Sequence, residues 1–171
     1  YLATVNNQLR DLQIFHTIGN HDYDYKAKND LEAGRPYVNN IAPAYYSFNL
    51  GQVHYVVMDD IDCDSYDGTI SRNYKKRLTN DQLTWLGKDL MQVDQDIPII
   101  LVMHAQVFYP SQTDGWKIDH DAVGTNQLLK LLAGRRTHIL TGHTHLNFNV
   151  TPDDDITGGN DLYEHNTAAI C

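Results

Sequence analysis

Three short polar clusters, each set at the end of an apolar run, restrict this chain more than anything else in it. Thr137-His138-Ile139-Leu140 reads as a buried strand and leads into Thr141-Gly142-His143-Thr144-His145. Two histidines one residue apart can converge on one point only where the backbone turns sharply, and Gly142 supplies that freedom. Leu12-Gln13-Ile14-Phe15 runs in the same way into Gly19-Asn20-His21-Asp22, and the apolar stretch 97–103 ends on His104. In an α/β sheet the loops beyond the carboxyl ends of the strands form the ligand crevice. Three strand ends carrying His, Asn and Asp therefore point to one site for metal and phosphate.

Composition narrows the classes around that site. At 171 residues the chain is one domain's worth, 1–171, and long enough to bury a core. No run approaches the roughly 18 apolar residues of a membrane helix. The net charge of −9 argues against a nonspecific nucleic-acid binder, which is normally basic. An acidic protein that handles an anionic substrate needs local positive charge, and bound divalent metals would supply it. Cys63 and Cys171 are too few for a disulfide framework.

The periodicity predicts an amphipathic helix over 1–12, from Leu2, Val5, Leu9 and Leu12, and a strand over 13–18. Residues 23–44, punctuated by Gly34, Pro36 and Pro43, read as a long surface loop with room for a short helix. Tyr45 to Leu50, Gly51-Gln52 and Val53 to Met58 make a hairpin. Residues 59–78 carry no period and read as a surface excursion. Thr79-Asn80-Asp81-Gln82 is a capping box opening a helix through Leu83, Leu86, Leu90 and Val93. The strand 97–103, a loop over 105–124, a helix from Thr125 to Gly134, the strand 137–141 and a final strand over 162–171 complete the chain. Strands and helices alternate in the second half, which predicts an α/β sandwich of mixed sheets with helices outside.

The order Gly-Asn-His-Asp, strand-terminal His104, Gly-His-Thr-His resembles the calcineurin-like metallophosphoesterases. Ser47-Phe48-Asn49-Leu50-Gly51-Gln52-Val53-His54-Tyr55-Val56-Val57-Met58-Asp59, the helix start Asp81-Gln82-Leu83-Thr84-Trp85-Leu86 and Glu164-His165-Asn166-Thr167 share the likeness. Together they look most like bacterial extracytoplasmic members with further domains on both sides. The resemblance implies a sandwich of two mixed β-sheets flanked by helices, and two divalent ions, Mn, Fe or Zn. It places one ion on Asn20, His104 and His143, and the other on His145 with ligands from earlier in the chain. It also implies a small phosphorylated substrate, metal-bound hydroxide attacking phosphorus, His21 assisting the leaving group and Asp22 orienting the His21 ring.

Family members open their first two strands with Asp-x-His and Gly-Asp-x-x-Asp, and neither pattern occurs in this sequence. The chain is therefore expected to be a partial domain lacking its first strands, which by itself holds metal poorly, hydrolyses little and self-associates. A catalytically incomplete scaffold of the same fold is the competing reading, and a nuclease a more distant one.

Each residue also has a plainer role open to it. Asp22 can cap its turn, and a lone His104 can be a satisfied polar residue. His16, His54 and His138 sit within apolar runs and suit the core or an edge. His120 belongs to a loop of the kind that lines substrate clefts. Asp59-Asp60-Ile61-Asp62-Cys63-Asp64 lacks the glycine and terminal glutamate of a calcium loop and reads as a solvated acidic surface. Asp153 to Asp155 reads as a solvated turn.

Overall fold

The computed structural model describes residues 7–8, 11–63, 74–113 and 115–168. The expected helix over 1–12, most of the excursion after Cys63 and the last residues of the final strand lie largely outside that set. Ten strands are described: β1 (Tyr46–Leu50), β2 (Val53–Val57), β3 (Ile61–Asp62), β4 (Lys75–Lys76), β5 (Ile99–Val102), β6 (Phe108–Pro110), β7 (Trp116–Ile118), β8 (Thr137–Thr141), β9 (Phe148–Val150) and β10 (Leu162–Asn166). Three helices accompany them: α1 (Asp30–Asn40), α2 (Asn80–Leu90) and α3 (Ala122–Leu132).

Six strands form one mixed sheet in the order β1-β2-β5-β8-β10-β9. The neighbours β2, β5, β8 and β10 run parallel, and antiparallel partners close both edges. Parallel pairing requires crossovers, and these carry α2 (between β2 and β5) and α3 (between β5 and β8). Both helices lie on the same sheet face. There Val56, Ile99, Leu101, Ile139 and Leu162 pack with Leu83, Leu86, Leu90, Leu128 and Leu132 in one buried cluster. On the opposite face Tyr55, Val102, His138, Tyr163 and His165 are half-buried. Among the described residues the remaining strands form two-stranded ribbons, β3 with β4 and β6 with β7.

Helix α2 is capped by Thr79, whose Oγ1 accepts the Gln82 N–H at 3.3 Å. The Gln82 side chain does not return to the cap. Its Nε2 donates to Asp59 O at 2.8 Å and its Oε1 accepts Asp59 N–H at 3.0 Å, so the helix start brackets the strand end instead. Helix α3 begins three residues earlier than Thr125, because Asp121 Oδ2 accepts Gly124 N–H at 2.8 Å and makes the stronger cap.

Three expectations need correction. Residues 13–18 form no strand. The segment is fastened by side chains, with Phe15 stacked on Phe48 at 3.8 Å and the Tyr46 hydroxyl donating to His16 O at 2.8 Å. Within 23–44 an eleven-residue helix, α1, is capped by Asn29 and buries Ala33, Gly34 and Tyr37 against a second apolar cluster with Ile18, Tyr23, Ile61 and Ala105. The third concerns the acidic run. Asp59, Asp60 and Asp62 are 7%, 0% and 2% exposed, so the predicted solvated surface is an interior polar group.

Candidate metal centre

His104 follows β5 and His143 follows β8, and Val102 pairs with Leu140 in the parallel ladder. Their strand ends are therefore side by side, and Gly142 N–H donates to His104 O at 2.9 Å. Asn20 arrives from outside the sheet, in a one-turn helix that starts after Gly19. The three side chains meet. His104 Nε2 lies 2.6 Å from Asn20 Oδ1 and 3.0 Å from His143 Nδ1. Gly19 permits the approach, since a Cβ there would fall 2.7 Å from His104 Nδ1.

The sharp turn after β8 is made differently from the expectation. Gly142 keeps an ordinary backbone, while His143 and His145 take left-handed φ values of 68° and 57°. Such conformations cost non-glycine residues on the order of 1–3 kcal/mol each and persist only where surrounding contacts enforce them. The turn therefore holds strain on the two residues expected to carry chemistry.

Electrostatics favour neutral rings. Burial, with His104 and Lys76 next in importance, lowers the His143 pKa to about 4. Burial lowers that of His104 as well, aided by His21 and His145 and opposed by Asp60 and Asp22. At neutral pH both imidazoles present lone pairs. The Tyr74 hydroxyl sits 3.3 Å from His143 Nε2, which leaves Nδ1 for the shared point. Two imidazole nitrogens and an amide oxygen are a donor set that suits Mn, Fe or Zn. The residues present fit one divalent ion. Among the described residues no three His, Cys, Asp or Glu side chains group as metal ligands, so no carboxylate joins this cluster.

His21 and His145 are exposed, and both act on the charge of His104. Asp22 Oδ2 accepts Gly19 N–H at 2.9 Å and so closes the turn. His54 is a core residue, held by Asn49 and Asp89 at 2.8 Å each. His138 Nδ1 meets His165 Nε2 at 3.0 Å on the half-buried sheet face. The His120 side chain is buried, with Nε2 3.2 Å from Asp60 Oδ2. Its loop also carries Asp119, which pairs with Lys76 and bears on the charge of His143.

Asp60 is the residue that sequence reasoning missed most clearly. Its carboxylate accepts His104 N–H at 3.2 Å and Ala105 N–H at 2.9 Å. Its position carried a signal, because it lies just past β2, the strand beside β5, and so at the same end of the sheet as His104. Tyr74 was missed as well, and nothing in its neighbours' pattern marks it.

Side chains grouped beyond the carboxyl ends of adjacent parallel strands, with helices on one face of the sheet, mark the crevice in which α/β domains bind ligands. Residues 1–147 match the family model for calcineurin-like phosphoesterase, and the chain belongs to that family. The purple acid phosphatase PPD1 from yellow lupin (Lupinus luteus) seeds shares the fold with a TM-score of 0.57 at 17% identity, over 87% of this chain and 29% of that one. A structure of PhoD is similar at a TM-score of 0.49 and 14% identity, over 80% of this chain and 33% of that one. The chain thus spans under a third of the lupin enzyme's length. No curated protein matches it. Among the described residues no helix is long and apolar enough to cross a membrane.

Proposed function

We propose that this chain is the ligand-bearing part of a metal-dependent hydrolase acting on a small phosphorylated substrate, with metal held by Asn20, His104 and His143. The observation that carries the reading is the convergence of Asn20 Oδ1 and His143 Nδ1 on His104 Nε2, at 2.6 and 3.0 Å from it, in a chain of this family. His145 is assigned to a second ion. Divalent ions bound there would polarise a phosphoryl oxygen and activate water for in-line attack. The chain's own residues do the rest. Neutral His104 and His143 supply lone pairs, and Asp60 fixes the His104 backbone. His21, exposed beside His104, gives a proton to the leaving oxygen, and Asp22 steadies the turn that carries His21.

The test is metal analysis of the intact protein, followed by a panel of phosphate mono- and diesters with Mn²⁺. Bound metal and turnover of at least one ester are expected. A folded, metal-free, inactive protein would instead support the scaffold reading, which is favoured by the lack of a carboxylate in the cluster among the described residues. The net charge of −9 speaks against a nuclease, and oligonucleotide digestion tests that directly. The half-buried sheet face, with Leu140 at 38% exposure, supports self-association of the isolated piece, which sedimentation would read.

A further inference from the structure

Strand β10 contributes no ligand to the proposed centre, yet its buried end is tied to both ligand-bearing loops. Asn166, 3% exposed, donates from Nδ2 to Thr144 Oγ1 at 2.7 Å and to Leu146 O at 2.8 Å. Its Oδ1 accepts the Thr141 hydroxyl at 3.1 Å. One carboxamide thus grips the chain before, between and after His143 and His145. Two residues earlier, Glu164 is fully buried and accepts Val107 N–H at 2.8 Å, Phe108 N–H at 2.9 Å and the Thr141 hydroxyl at 2.8 Å. It therefore connects the loop that starts at His104 to the strand that ends before His143.

The surroundings argue for a purpose beyond packing. Leu162, Ile139 and Val150 on the same sheet face are apolar and fully buried. An apolar residue at 166 would fill the interior without desolvating an amide. The amide's hydrogen bonds instead go to one turn, the turn whose two histidines hold left-handed backbones. Left to itself such a turn relaxes, and relaxation would carry His143 Nδ1 away from His104 Nε2.

We propose that Asn166 is a positioning residue of the metal centre, locking the 142–147 turn in the form that aims His143 at His104, with Glu164 as the fixed support beneath Thr141 and the His104 loop. The inference rests on the reading that Asn20, His104 and His143 bind metal.

The experiment measures Mn²⁺ affinity by competition titration, the visible spectrum of the Co²⁺-loaded protein and metal-free thermal melting. The intact protein is compared with Asn166→Ala and Thr144→Val. Thr144→Val removes one of the same hydrogen bonds from the half-buried turn, without opening a cavity in the core. Asn166→Ala is expected to weaken Mn²⁺ binding by about 10–100-fold, as supporting contacts of metal ligands usually do, and Thr144→Val by up to about 10-fold. Both should alter the Co²⁺ spectrum, while metal-free Thr144→Val still melts cooperatively, at a temperature lowered by only a few degrees. Wild-type Mn²⁺ affinity in both variants would overturn the proposal and leave the metal reading standing. Asn166→Ala failing to fold while Thr144→Val binds as wild type would overturn it too. A wild-type protein that takes up no metal would overturn both.

Discussion

His104 Nε2 and Asn20 Oδ1 are 2.6 Å apart although 84 positions separate them in the chain. The contact forms because β5 delivers His104 to the sheet's carboxyl end, while Ile18, fully buried among Tyr23, Ala33 and Ala105, anchors the segment leading to Asn20.

Gly19→Ala should damage the site without unfolding the protein. The new Cβ would meet the His104 ring at 2.7–3.0 Å, and only a shift of the ring or of the 19–22 turn relieves that. Metal affinity is expected to fall by roughly 10-fold or more, the scale seen when ligand support is disturbed. Titration with Mn²⁺ reads this. Unchanged affinity would show that the close packing of Gly19 does not set the ring's place.

His21→Ala and His143→Ala should separate protonation from metal binding. Loss of a general acid costs about 10²–10⁴ in turnover, so His21→Ala should keep its metal and recover part of its rate on a nitrophenyl ester. His143→Ala should lose metal as well. Kinetics beside metal analysis distinguish them, and a metal-free His21→Ala would mean the two roles are exchanged.

The buried Asp59 makes stability depend on pH. Burial pushes its carboxyl up to about 8, against the hydrogen bond donated by the Tyr23 hydroxyl at 2.5 Å. A folded-state pKa above the unfolded value gives stability that is fully present below about 4 and is lost as pH rises through about 8. Within that window the slope approaches about 1.4 kcal/mol per pH unit. Denaturant melts from pH 4 to 8 should show it, and Asp59→Asn should remove its share of the slope, leaving that of Glu164, whose carboxyl burial raises to about 7. A wild-type profile as flat as that of Asp59→Asn would contradict the assignment.

Arg135 provides a control far from the chemistry. Its guanidinium donates to Leu90, Val93 and Asp94 carbonyls at 2.9 Å each, closing the end of α2. Arg135→Ala should cost roughly 1.5–3 kcal/mol, since charged donors make the stronger hydrogen bonds, and should leave Mn²⁺ affinity untouched. Urea unfolding and metal titration together check both halves.

What the sequence revealed and what it hid have physical reasons. The hairpin around Gly51, helix α2 and strands β5 and β8 were legible because alternation, capping and apolar period all agreed there. Asn20, His104 and His143 were legible because each follows an apolar run, and the fold brings those three together. Residues 13–18 look like a strand by composition, but in the structure side-chain contacts and not ladder hydrogen bonds hold them. Asp59 to Asp62 looked solvated because burial of a carboxylate depends on partners distant in sequence: Tyr23 for Asp59, and the His104 and Ala105 amides for Asp60. The sharp turn expected at Gly142 is made by His143 and His145 instead, a choice enforced by Asn166, which is more than twenty residues away.

The most direct measurement is anomalous diffraction at the Mn edge from crystals of the intact protein grown with Mn²⁺. A peak is expected within bonding distance, roughly 2.0–2.3 Å, of Asn20 Oδ1, His104 Nε2 and His143 Nδ1. A peak bound elsewhere, or an ordered site with these three side chains and no peak, would contradict it.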